Sequence, residues 1–155
     1  MNKLKGILLT QGMHGMISQV EGLAKALDID FTHHTVELNN FWKMIPPKFT
    51  PISQIVYKKV NQSDFDMIIS CGRKSVIPSI HLKNSSKKKV FSIQIQDPKV
   101  NFNNFDFIVA PEHDSINGQN VINTKGAIHY LTNDEITKNK DYLDSFIKKD
   151  QRKIC

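Results

Sequence analysis

The chain has 155 residues, a net charge of +6, 39% hydrophobic and 23% charged residues, the proportions of one soluble globular domain with room for a real core. No stretch approaches the roughly 20 apolar residues of a membrane-spanning helix, and the two cysteines, Cys71 and Cys155, make neither a metal spacing nor a disulfide framework. The positive charge is scattered over lysines amid abundant asparagine and isoleucine, as an AT-rich genome imposes, and the one dense run, Lys87-Lys88-Lys89, lacks the interleaved aromatics that stack bases. No nucleic-acid partner is expected.

Leu4 to Leu9 is a short, nearly continuous apolar run, as expected of a buried parallel strand. It is too short for a signal-peptide core of about 7–15 residues, so a cytoplasmic location is expected. Gln11-Gly12-Met13-His14-Gly15 follows as a glycine turn, and Ile17, Val20, Leu23, Ala24 and Leu27 then keep helical spacing. Phe31 to Leu38 alternates weakly and predicts a second strand. Asn39 to Pro51 holds three prolines and the single tryptophan, Trp42, and predicts an irregular connection. Ile52, Ile55, Val56 and Val60 predict a helix over Ile52 to Val60. Asp66 to Ser70 predicts the third strand. With Ser75 as N-cap, Pro78 falls in the first turn of the next helix, where its missing N–H would be unpaired anyway. Ile77, Ile80 and His81 then face the sheet. Further strands are expected at Val90 to Ile95, Phe105 to Ala110 and Asn120 to Asn123. Thr132-Asn133-Asp134-Glu135 matches a capping box and opens a final helix with Ile136, Leu143, Phe146 and Ile147 inward. Strands alternating with helices imply an α/β domain with a doubly wound, mostly parallel, Rossmann-like sheet.

In such sheets ligands bind beyond the carboxyl ends of the strands, near a switch in strand order, and the polar clusters fall there repeatedly. The most informative is Ser70-Cys71-Gly72-Arg73-Lys74-Ser75. Arg73 is one of two arginines in a chain that otherwise uses lysine, and a planar guanidinium suits bidentate capture of phosphate or carboxylate. With Gly72 and the helix start at Ser75 it predicts an anion site; the plainer alternative is a surface arginine beside an ordinary cap. Cys71, flanked by an apolar strand, reads as a small buried hydrophobe. Gly12 and Gly15, followed by Ser18 and Gln19, either let backbone amides approach a ligand at a helix start or simply make a tight strand-to-helix turn. Their spacing matches neither the dinucleotide fingerprint nor a P-loop.

Gln94 and Gln96 share a face of an otherwise apolar strand. This predicts a polar cleft bordered by Gln96 and Asp97, or else a strand at the sheet edge. Glu112-His113-Asp114 sets carboxylates beside an imidazole. Glu112 and His113 are candidate bases with Asp114 at the ligand, unless the three only form a hydrogen-bonded loop with Asp114 capping a turn. Adjacent residues rarely converge on one ion, and no second histidine has helical ligand spacing, so no metal is expected, nor any cofactor. His129, after Gly126, sits on a turn facing the same cleft or is structural.

Taken in order, several runs together resemble the "elongated mitochondria" family over about residues 4–131. They are Gly15-Met16-Ile17-Ser18-Gln19, Ser70-Cys71-Gly72-Arg73, Gln94-Ile95-Gln96-Asp97-Pro98, Phe105-Asp106 with Ala110-Pro111-Glu112-His113-Asp114, and Asn120-Val121 with Thr124 and Gly126-Ala127-Ile128-His129. The family's plant members act in mitochondrial fission. Some bacterial members are labelled nucleoside-diphosphate-sugar epimerases, which the missing Rossmann fingerprint argues against. The resemblance implies a longer protein of two Rossmann-type halves, similar to a GT-B glycosyltransferase that holds a nucleotide sugar between its domains. This chain is then the N-terminal half of a bacterial member. Residues 1–131 form the Rossmann-like domain, and residues 132–155 form a C-terminal helix and the start of a missing second domain, its intramolecular partner. The implied function is glycosyltransferase-like binding of a nucleotide sugar or other phosphorylated ligand, with the isolated chain inactive. The alternative is a non-catalytic protein-interaction module that uses the exposed connection around Trp42, as plant members recruit a dynamin-related protein.

Overall fold

The computed structural model describes residues 3–61 and 64–126; His129 and the helix expected after Thr132 lie outside them. Among the described residues there are six strands: β1 (Lys5–Thr10), β2 (Asp30–Thr35), β3 (Met67–Cys71), β4 (Phe91–Ile95), β5 (Phe107–Pro111) and β6 (Val121–Thr124). All neighbours pair in parallel, in the order β2-β1-β3-β4-β5-β6. Two helices, α1 (His14–Ala26) and α2 (Val76–Ser85), cover opposite faces. Alternate strand residues divide between them. Leu8, Ile69, Cys71 and Ile95 pack with Val20 and Ala24 of α1. Ile7, Leu9 and Ile68 pack with Ile77 of α2, and Ile108 and Ala110 pack with its Val76 and Ile80. Burying each such Leu, Ile or Val side chain contributes about 1.5–3 kcal/mol, which explains why strands hidden on both faces read as largely apolar runs. The sheet is thus doubly wound and Rossmann-like, and all its described strands are parallel. Beyond α1 on its own side of the sheet, Phe107 and Ile122 stay exposed.

Three expectations are corrected. Ile52 to Val60 forms no helix. It holds only a 3-10 turn at Gln54–Val56, after which Tyr57 bridges Leu38 in antiparallel fashion. The Asn39 N–H donates to Val56 O (2.9 Å) and the Lys58 N–H to Glu37 O (2.9 Å), so this stretch is held extended. Next, β4 lies between β3 and β5 and is no edge strand. Buried Gln94 is satisfied inside the sheet: its Oε1 accepts from the Ser70 hydroxyl at 2.7 Å, and its amide donates to Ile95 O at 2.9 Å. Finally, Ser75 does not cap α2 with its side chain. It lies in a 3-10 turn, Arg73–Ser75, that leads into the helix, and its buried hydroxyl donates back to Cys71 O (2.8 Å) and Gly72 O (2.7 Å). Pro78 does occupy the first turn of α2 and is buried.

Candidate functional site

Strand order reverses between β1 and β3. The connections leaving these two strands run to opposite faces, and such a switch point leaves a crevice at the carboxyl edge. The loop after β1 is shaped by Gly12, whose φ of 84° lies where glycine is favoured. A Cβ there would also come within 3.0 Å of Thr35. Thr10, the last residue of β1, holds this turn by accepting the Gly12 N–H at 3.0 Å, and its hydroxyl also meets His33 Nε2 at 2.8 Å. Since the oxygen already accepts from Gly12, its proton is best used toward a neutral His33. Burial lowers the His33 pKa and favours that neutral form. Thr10 and His33 were not foreseen from the sequence, because their contact crosses two strands 23 residues apart.

The loop after β3 meets the loop after β1. Gly72 has φ 89° and ψ 163°, and a Cβ on it would lie 2.4 Å from Gln11 Nε2 and 2.7 Å from Met16 Sδ. The bare backbone of Gly72 therefore lets the two loops close. Arg73 follows immediately and is exposed, with no hydrogen bond or ion pair among the described residues. Beside it, Lys74 and Ile77 join Leu38, Pro47 and Val56 around a crevice of about 10 Å³, no more than one water could fill. Arg73 itself borders this crevice, so its side chain is exposed at the rim of a space too small for a ligand. Cys71, just before this turn, is buried, and burial pushes its thiol up to about 12, which removes it as a nucleophile at neutral pH.

The remaining predicted residues are placed as follows. Gly15 opens α1, exposed, with open space where a Cβ would stand; steric need does not dictate a glycine there. Ser18 and Gln19 are half-buried in the next turn of α1, whose N-terminus has no side-chain cap. Gln96 adopts φ 74° and donates its N–H to Val109 O at 2.9 Å. The Asp97 carboxylate is engaged by Lys99, at 2.5 Å from its Nζ and 2.8 Å from its N–H. The Asp97 N–H donates to Asp114 at 3.4 Å, which links the loops after β4 and β5. Glu112, His113 and Asp114 form a 3-10 turn. Glu112 and His113 are exposed, and His113 Nε2 lies 3.5 Å from the Asp114 carboxylate. The candidate residues therefore fall into two joined pairs of loops, β1 with β3 and β4 with β5. No hydrogen bond or ion pair among the described residues connects Arg73 to the Asp97–Asp114 pair. Among the described residues no group of three or more His, Cys, Asp or Glu could hold a metal ion, and no helix is long and apolar enough to cross a membrane.

Comparison with known proteins places this geometry in a family. No solved structure matches. The chain is similar to the mitochondrial fission protein ELM1 of Arabidopsis thaliana, 33% identical over 48 residues. That stretch is 31% of this chain and 11% of the plant protein, so the match spans only a small part of its relative's length. The sequence model described as Mitochondrial fission ELM1 matches residues 14–155, taking in the turn at Gly72–Arg73 and the loops after β4 and β5. The chain belongs to the mitochondrial fission ELM1 family.

Proposed function

We infer that the carboxyl edge at the β1–β3 switch point is one wall of a binding site for a phosphorylated ligand, a nucleotide sugar being the form that the family resemblance implies. One observation carries this reading: Arg73 presents an exposed guanidinium with no partner among the described residues, at the turn where the loops after β1 and β3 meet. In this reading Arg73 neutralises the phosphate, and Gly12 and Gly15 bring the start of α1 to it. Glu112 or His113 is the base if the full-length protein is catalytic. The open edge around Arg73 suits a site completed by a second domain. A second reading, a non-catalytic interaction module, is favoured by the exposed Phe41, Met44 and Phe49 between β2 and β3.

Isothermal titration and thermal-shift measurements of the full-length protein with inorganic phosphate, nucleoside diphosphates and nucleotide sugars test the first reading. A bound ligand raises the melting temperature. Arg73→Ala is expected to weaken binding by about 10- to 150-fold, the worth of a charge-assisted hydrogen bond. Undiminished binding by that variant would refute the assignment.

A further inference from the structure

Between β2 and β3 the chain makes an excursion that is closed at its base by the Leu38–Tyr57 bridge and by the Asn39 side chain, which donates to Ile55 O at 2.6 Å. Trp42 packs on the core beneath it, and Pro47 and Val56 are buried. The backbone turns through three short 3-10 segments, Asn40–Lys43, Pro47–Phe49 and Gln54–Val56. Anchored in this way, the excursion turns large apolar side chains outward: Phe41 is 69% exposed, Met44 85%, Phe49 71% and Ile55 62%. Exposed apolar groups are ordinary when scattered singly, but so many on one pinned loop mark an interaction site. The ordering entropy of the loop is already met by the fold, so contact would not have to supply it.

The charge on this loop identifies the partner. From Leu38 to Asn61 there is no Asp or Glu, while Lys43, Lys48, Lys58 and Lys59 all occur. Among the described residues, only Lys58 of these four has an ion pair, with Glu37. Lys43 is hydrogen-bonded to the Asn40 side chain at 2.9 Å, and Lys48 lies 5.8 Å from the Phe49 ring centre. Protein interfaces are depleted in lysine. Lysines interleaved with Phe, Trp and Met are instead the composition of segments that rest in a lipid interface, with the aromatics below the headgroups and the ammonium groups among them.

We propose that the Leu38–Tyr57 excursion docks this protein on an anionic phospholipid surface, with Phe41, Met44 and Phe49 entering the interface and Lys43, Lys48 and Lys59 meeting lipid phosphates. The excursion borders Arg73 through Leu38, Pro47 and Val56, but the two readings rest on different side chains, and either can fail alone. The test is co-sedimentation of the full chain with vesicles of phosphatidylcholine alone, or of phosphatidylcholine and phosphatidylglycerol in equal amounts. Binding is expected to the anionic vesicles only and to fall with salt. Lys43→Gln and Lys48→Gln should each weaken it by about fivefold. The double variant Phe41→Ser, Phe49→Ser should abolish it while the protein stays folded, since both side chains are mostly exposed and only the edge-on contact of Phe41 with Trp42 is lost. Trp42 is the only tryptophan, so quenching of its fluorescence by brominated acyl chains reads insertion separately from adhesion. Absence of binding to anionic vesicles, or full binding by the Phe41→Ser, Phe49→Ser variant, would overturn the proposal. So would a self-association, lost in that same variant, with no vesicle binding, which would make the loop a protein interface instead.

Discussion

Gly72 holds φ and ψ of 89° and 163°, a region that is essentially glycine's alone, and it holds them where two loops touch. Gly72→Ala should therefore cost twice: about 1–3 kcal/mol for the backbone, and a displacement of Gln11 and Met16, whose side-chain ends would lie within 3 Å of the new methyl. A urea titration should show a lower midpoint with an unchanged slope. An unshifted midpoint would mean that the turn is not held as described. This residue and its neighbour were legible in the sequence because their signals are local: a glycine between an apolar strand and a helix, and an arginine in a chain that prefers lysine. The Thr10–His33 contact was not legible, because it depends on which strands become neighbours. The Ser70–Gln94 pair was half legible. A buried glutamine announces that it needs a partner, but the partner lies 24 residues away on another strand.

The elements that the sequence predicts well are those whose pattern admits one geometry. The inner strands β1, β3, β4 and β5 are short, largely apolar runs between turn residues, whereas the edge strand β2, Asp30–Thr35, alternates only weakly; Pro78 fits a helix only in its first turn. Ile52, Ile55, Val56 and Val60 are a different case, since the same four residues suit a helical face or an irregular chain that buries only some of them. Ile52 and Ile55 are in fact exposed and Val56 is buried. What decides is tertiary: Tyr57 is 2% exposed, its phenol is 2.9 Å from His81 Nδ1 on α2, and their rings pack edge-on at 5.8 Å. Burial pushes this phenol up to about 12, so it stays neutral. Tyr57→Phe keeps the ring packing and removes only the hydrogen bond, so it should cost about 0.5–1.5 kcal/mol in equilibrium unfolding. A much larger loss would mean that the bond also holds the excursion between β2 and β3 in place.

Across the whole molecule, the two edges of the sheet treat charge differently. At the amino edge, cations and carboxylates are paired: Lys3 with Asp28 at 2.6 Å, Lys5 with Asp64 at 2.6 Å, and Lys88 with Asp64 at 2.8 Å and Asp66 at 2.7 Å. Lys83 meets Asp106 there at 2.8 Å. At the carboxyl edge Lys99 pairs with Asp97 and Lys58 with Glu37, yet Arg73 is left without a partner among the described residues. The paired edge serves stability and makes a pH signature. Hydrogen bonds from Lys5 and Lys88 bring Asp64 down to about 2, and the Lys5 backbone N–H, then Lys88, lower Asp66. For Asp106, burial is the largest single influence and would raise the pKa, but Lys83 and the Ser92 N–H together outweigh it and the net shift is downward. A carboxylate whose folded pKa lies below its unfolded value of about 4 stabilises the protein above that pH, and its contribution is lost as pH falls toward the folded value. His33, lowered by burial, adds an earlier loss that begins as pH falls below its unfolded value of about 6.5. The melting temperature should therefore decline gently below about pH 6.5 and more steeply between about pH 4 and 2. Asp64→Asn should flatten part of the lower step and leave the upper one untouched, and because these pairs are exposed, salt should shrink the lower step. If Asp64→Asn left the lower step at full height, the paired amino edge would not be its source, and the contrast between the two edges would lose its energetic meaning.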